Sequence, residues 1–323
     1  MEYRELGSTG INISIIGIGA WQMGGRDGEN GVGHGWGDVD DSRSIKIIHS
    51  AQEMGVNLID TADIYGNGHS ERIIGQALKS RRDKWVIATK GGLVKDPNKR
   101  GQYFDASFGN IRNGCEASLK RLQTDTIDFY QLHGTPQDDQ IPDTMQELSK
   151  LRDEGKIRFY GISVGDVESI KKLQPYGKVD IVQIGFSLLN RNEEAALNYC
   201  YEQGIGTLIR TPLSWGAAFG RYAKEKPPTF EFGDNRHNTD SEHIIDEHKK
   251  GLHFSFLWEN IDRSPAQAAL RFVLDTNGVT SVIPGTKKLD HLIDNVGTAS
   301  VEKISSLEMG KIADVRAEWN NWY

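Results

Sequence analysis

Cysteine is almost missing. Cys115 and Cys200 are the only two in 323 residues, too few for the disulfide framework of a small secreted domain. Both fall inside expected helices, which suits buried thiols better than a bridge. Long apolar runs are missing as well. No stretch approaches the roughly 18 continuous apolar residues of a membrane span, and the N-terminal MEYRELGSTG lacks the basic start and apolar run of a secretion signal. A cytoplasmic location is expected. The net charge is −7, and with no block of about five or six basic residues the chain has no nucleic-acid footprint. Metal-ligand spacing is absent too: there is no Cys pair at ligand spacing, and His243 and His248 would be turned about 140° apart on a helix, off a common face. The expected partner is a small molecule, with no nucleic acid, membrane or metal, and no feature demands an interface, so a monomer is expected.

What is present is a regular alternation of periods. The length exceeds the about 250 residues typical of a (β/α)8 barrel, and one domain over 1–323 is the simplest organisation. Residues 2–14 read as a hairpin around a Gly-bounded turn, and 15–19 as the first barrel strand. The Gly-rich stretch 24–37 must be a loop. Its GVGHGWG is followed by no helix at the spacing of a dinucleotide fingerprint, so a lip over the site is the expected role. Helix 42–54 then leads into strand 56–60, helix 70–79, strand 85–89, helix 109–122, strand 126–132 and helix 142–154. Strand 157–162, helix 167–174, strand 179–184, helix 193–203 and strand 205–210 follow. Residues 211–263 are too long for a connection and are read as an ordered loop plus an extra helix near 242–258. Ser264 and Pro265 open helix 265–275 as N-cap and first-turn proline, before strand 279–283, helix 288–296 and a C-terminal helix 303–318. Eight strands, each followed by a helix, give a parallel sheet. Because no Gly-rich turn joins the first strand directly to a helix, a closed (β/α)8 (TIM) barrel with an N-terminal β-hairpin and extra helices is expected over an open sheet.

Three successive strands end on ionisable groups: Asp60, Lys90 and His133. Tyr65 lies in the loop after the first of these. In a closed parallel barrel all strand C-termini open on one face, so these four can converge. Free tyrosine has a pKa near 10. A lysine ammonium beside it is expected to lower that value, with Asp60 holding Lys90 charged. Tyr65 would then protonate a carbonyl oxygen that His133 orients by a hydrogen bond. Lysine at a strand end also admits a Schiff-base aldolase using Lys90, although Asp60 and Tyr65 would keep it charged. Ser70 and Glu71, opening the next helix, are read as its capping residues.

The segments NLIDTADIYGNGHSE, VIATKGG, SLKRLQTDTIDFYQLH, EGKIRFYGIS, RTPLSWGAAFGRY, SPAQAAL and VTSVIPGT together resemble the aldo-keto reductase superfamily over nearly the whole chain. The family's catalytic Asp, Tyr, Lys and His fall on Asp60, Tyr65, Lys90 and His133. The resemblance implies an NAD(P)H-dependent oxidoreductase that reduces an aldehyde or ketone, sugar-like carbonyls included, with NADPH as cofactor. It places Ser163 and Gln183 at the nicotinamide carboxamide, with Val164 where Asn is usual. Arg210 stands where many members have a stacking tyrosine, and Thr211, Pro212 and Leu213 follow it at the cofactor. Gly285, Thr286 and Lys287 fall at the adenosine 2′-phosphate, and His291, Asp294 and Asn295 at the adenine. Trp21 and Trp36 are expected at the substrate. The superfamily also contains cofactor-sensing regulatory subunits of potassium channels, which stand as an alternative.

Overall fold

The structure is a computed structural model that describes residues 1–26, 36–95, 102–223, 228–231, 233–237 and 239–319. Most of the Gly-rich 24–37 stretch therefore lies outside the described residues. The N-terminal hairpin consists of β1 (Tyr3–Glu5) and antiparallel β2 (Asn12–Ser14). The barrel strands are β3 (Ile18–Gly19), β4 (Leu58–Asp60), β5 (Val86–Gly91), β8 (Ile127–Leu132), β9 (Ile157–Ile162), β10 (Ile181–Gly185), β11 (Gly206–Arg210) and β12 (Ser281–Val282). They form one eight-stranded sheet in that order, and among the described residues every ladder within it is parallel. Parallel bridges from Ile16 to Val282 and from Gly19 to Gly285 join the first strand to the last. The fold is the expected (β/α)8 barrel.

The first and last strands are shorter than expected, because their ladders with β4 and β11 run for only two residue pairs each and they meet one another only at isolated bridges. Between β5 and the following helix lies a second hairpin absent from the sequence reading, β6 (Leu93–Lys95) with β7 (Gln102–Phe104).

Helices α1 (Asp41–Glu53), α2 (His69–Leu78), α3 (Phe108–Leu122), α4 (Ile141–Asp153), α5 (Val167–Leu173) and α6 (Glu194–Gln203) follow the successive strands. Then come α7 (Ser241–Leu252), α8 (Pro265–Asp275), α9 (Leu289–Gly297) and α10 (Ser306–Trp319). In α1 the apolar stripe buries Ile47, Ile48 and Ala51, and the Asp40 side chain accepts from the Arg43 amide. Ser264 caps α8 in a full capping box with Gln267, with Pro265 in the first turn, as its sequence predicts. The insertion helix ends earlier than expected: α7 stops at Leu252 and a short 3-10 turn covers Ser255–Leu257.

Two apolar layers hold the barrel. The larger lies between sheet and helices. The smaller fills the barrel interior with Leu58, Phe129, Ile181, Leu208 and Ile283, and the hairpin adds Leu6, Ile11 and Ile13 to it. The hairpin therefore plugs the bottom, and the strand C-termini open at the other end, where the polar residues gather. Among the described residues no helix is long and apolar enough to cross a membrane.

Candidate active site

Lys90 lies one residue before the end of β5 and is completely buried. Its Nζ donates to Asp60 Oδ1 at 2.7 Å, to the Thr61 carbonyl at 2.7 Å and to Tyr65 Oη at 3.4 Å. An ammonium has three protons, so this geometry uses all of them. Asp60, the last residue of β4, also accepts from Gln183 Nε2 at 2.8 Å and from Gln131 Nε2 at 3.5 Å. Burial pulls the Lys90 ammonium down, but Asp60 and then Tyr65 more than reverse this, and its pKa stands above the ordinary lysine value. Burial pushes the Asp60 carboxyl up against the pull of Lys90 and the two glutamines. With two charge-assisted partners at 2.7 Å around Lys90, the arrangement is a buried ion pair.

Tyr65 departs from the sequence expectation. Burial raises its pKa, and although Lys90 pulls the other way, the net shift is upward. The lysine does not win because the phenolate must form out of water and beside Asp60, whose charge also opposes it. Tyr65 therefore keeps its proton at neutral pH. His133, directly after β8, packs edge-on to Tyr65 at 5.8 Å between ring centroids. Burial first, then Lys90 and Arg210, hold it well below the usual histidine value, so it is neutral and offers one ring N–H. Its Nδ1 has no partner among the described residues.

These groups face a cavity of about 950 Å³, at the upper end of the size for small-molecule sites. Every residue expected at the site lines it except Lys90, which sits behind Asp60 and Tyr65. Trp21, Trp36 and Tyr65 form an aromatic wall, with Trp21 edge-on to Trp36 at 5.5 Å and 6.2 Å from Tyr65. Ser163 and Gln183 meet at 3.5 Å after β9 and in β10. The Gln183 amide nitrogen donates to Asp60, and its carbonyl oxygen accepts from Ser163 Oγ. Val164 packs on the core and contributes no amide. Arg210 ends β11 and is ion-paired with Glu193 at 2.8 Å. Thr211, Ser214 and Trp215 behind it all have left-handed backbones, a concentration of strain at the lip of the kind found at ligand sites.

At the other end, Gly285, Thr286, Lys287, His291, Asp294 and Asn295 line the wall around the N-terminus of α9. The Thr286 hydroxyl is engaged locally, donating to the Lys288 carbonyl and accepting from its amide. Lys287 donates to the carbonyls of Trp36 and Asp38. Trp36 also bridges to Asp234, and Arg236 lies between the Trp36 and Phe230 rings, 4.2 and 4.1 Å from their centroids. The two long connections are thus tied to each other beside Lys287.

Several residues were missed in the sequence. Gln131 and Glu193 act by supporting Asp60 and Arg210, while Gln22, Leu93 and Gln102 line the wall. Of these only Gln131 carried a signal, since it precedes His133 by two on a strand and so shares its inward face. The capping role expected of Ser70 and Glu71 is not observed. The N-cap of α2 is Gly68; Ser70 donates to the Ala20 carbonyl and Glu71 accepts from Thr89 and Arg121. Both side chains turn inward because the barrel offers buried partners there.

The cavity has an amide-and-hydroxyl end and a basic end at a helix N-terminus with no side-chain cap, a donor set that fits a nicotinamide dinucleotide. The sequence profile of the Aldo/keto reductase family matches residues 15–317. This chain belongs to the aldo/keto reductase family. It is an NAD(P)H-dependent oxidoreductase. The aldo-keto reductase YhdN of Bacillus subtilis (strain 168) is 34% identical over 296 residues, covering 89% of this chain and 86% of that protein. The NADH-specific methylglyoxal reductase of Escherichia coli (strain K12) is 37% identical over 242 residues, 71% of this chain and 72% of that one. Among solved structures, a glycerol dehydrogenase from Gluconobacter oxydans superposes with a TM-score of 0.82 at 30% identity, covering 98% of this aldo/keto reductase and 95% of that chain.

Proposed function

We propose that this single-domain protein reduces an aldehyde or ketone to the alcohol with NADPH, and that Tyr65 is the general acid. The observation that carries the reading is the Lys90 ammonium, held at once by Asp60 and Tyr65, beside a neutral His133 on the same cavity. The nicotinamide, when bound, supplies hydride to the carbonyl carbon. Tyr65 gives its proton to the carbonyl oxygen, and the Lys90 ammonium stabilises the phenolate that remains. His133 donates its single N–H to the same oxygen and so holds it toward Tyr65. Ser163 Oγ and the Gln183 carbonyl would hold the carboxamide, and Lys287, Lys288 and the α9 amides the phosphate end. Trp21 and Trp36 would bound the substrate.

Since Tyr65 is held protonated, the chain is set for reduction near neutral pH, whereas alcohol oxidation needs the phenolate and should gain as pH rises. The aldolase reading requires a neutral Lys90 facing the substrate. The buried, fully hydrogen-bonded ammonium argues against it. Tyr65→Phe should retain cofactor affinity and lose at least about 100-fold in carbonyl reduction, the low end for general acid catalysis. Sugars, small aldehydes and ketones assayed by nicotinamide absorbance would identify the substrate, and near-normal turnover by the variant would remove Tyr65 from this role.

A further inference from the structure

Glu193 occupies the N-cap position of α6, yet its side chain makes no cap. Instead it reaches back across the strand ends: Oε2 accepts from the Gly185 amide at 2.6 Å, and Oε1 accepts from Arg210 Nη2 at 2.8 Å. Space for it is cleared by two glycines. A Cβ at Gly165 would fall 1.8 Å from the Glu193 carboxyl carbon, and one at Gly185 would fall 2.9 Å from Arg210 Nη1 and 3.1 Å from Glu193 Oε1. The Arg210 charge is felt at both Tyr65 and His133, although burial dominates their shifts. A cation so near the reacting centre would oppose a ring that becomes positively charged when it gives up hydride.

We propose that Glu193 is a positioning residue that pins Arg210 and cancels its charge, so that this pair sets the relative affinity for oxidised and reduced cofactor. The inference rests on the reading that Arg210 stands at the nicotinamide end. NADP+ and NADPH carry the same phosphates, so attraction of those groups to Arg210 cancels in the ratio of their dissociation constants. Only the charge of the ring remains.

The test measures both constants by quenching of tryptophan fluorescence for the wild type, Glu193→Gln, Arg210→Gln and the double variant. Glutamine keeps an oxygen for the Gly185 amide while removing the charge. Glu193→Gln should weaken NADP+ relative to NADPH by on the order of tenfold, as an uncompensated charge in a partly screened site would. Arg210→Gln leaves the carboxylate alone and should tilt the ratio the other way, and the double variant should return close to the wild-type ratio. A structural role alone would weaken both cofactors together. Equal losses for both cofactors, or a tilt of the same sign in the two single variants, would overturn the proposal. If Glu193→Gln does not fold, the sign of the Arg210→Gln tilt decides. Failure of the reductase reading would show separately, as Tyr65→Phe retaining turnover.

Discussion

At the residue scale the decisive fact is that Lys90 has no water-facing alternative to Asp60 and Tyr65. Its side chain is 0% exposed and that of Asp60 4%. Deleting one member of such a pair leaves the other charged and buried, which costs about 3–5 kcal/mol. Lys90→Met should therefore lose both turnover and stability, seen as a fall in the urea midpoint. A variant as stable and as active as wild type would refute the relay. Asp63, three residues after Asp60, behaves differently. Burial, then the charge of Glu71, raises its carboxyl to about 7 against the pull of Arg121 and Lys90, and its Oδ1 has no partner among the described residues. The folded chain thus holds this proton more tightly than the unfolded chain does. The stability this confers is complete below about pH 4 and is lost as pH rises toward 7, amounting to at most about 4 kcal/mol for a shift of roughly three units. Asp63→Asn stays neutral throughout. Its denaturation midpoint should match wild type near pH 4 and exceed it at pH 8; a wild type that is the more stable at pH 8 would exclude this account.

At the element scale, what the sequence revealed depended on whether a side chain's role follows from its own strand. Asp60, Lys90 and His133 were legible because each lies at a strand end, and parallel strands share one open face. Ser264 and Pro265 marked a helix start for equally local reasons. Ser70 and Glu71 misled because a hydroxyl and an acid in a first turn suit capping and inward contact equally, and only partners outside the helix, Ala20 for Ser70 and Thr89 and Arg121 for Glu71, decide between them. The β6–β7 hairpin escaped because three-residue strands carry no readable period. The direction of the Tyr65 shift escaped because burial depth is a property of the assembled barrel. The α9 N-terminus offers a test at this scale. Lys287 there donates to two backbone carbonyls of the 36–38 segment, and burial lowers its pKa. If it selects NADPH by binding the 2′-phosphate in place of those carbonyls, Lys287→Ala should weaken NADPH by roughly 1.5 to 3 kcal/mol, the range for a charged hydrogen bond, and leave NADH nearly unchanged. Equal losses, or a wild type that prefers NADH, would assign the lysine to tying the loop alone.

At the scale of the whole molecule the barrel must close, and the closing seam runs along one edge of the site. β3 meets the last strand through the Ile16–Val282 and Gly19–Gly285 bridges, with the Ser281 hydroxyl donating to the Ser14 carbonyl below them. The backbones approach so closely that a Cβ at Gly19 would lie 2.5 Å from the Ile283 carbonyl oxygen. That contact is with backbone, which cannot swing aside as a side chain can. Gly19→Ala should consequently force the seam apart at a cost of about 1–3 kcal/mol, the usual range for overpacking. Because Gly19 and Gly285 both line the cavity, cofactor affinity should fall with stability. Gly310 in α10 has nothing within 4 Å of an added Cβ, so Gly310→Ala should instead stabilise by roughly 0.5–1 kcal/mol through helix propensity and leave cofactor affinity unchanged. Urea denaturation and cofactor titration of the two variants separate a general glycine effect from a seam effect. If Gly19→Ala bound cofactor as tightly as wild type and unfolded at the same urea concentration, the seam would have slack that this close approach denies.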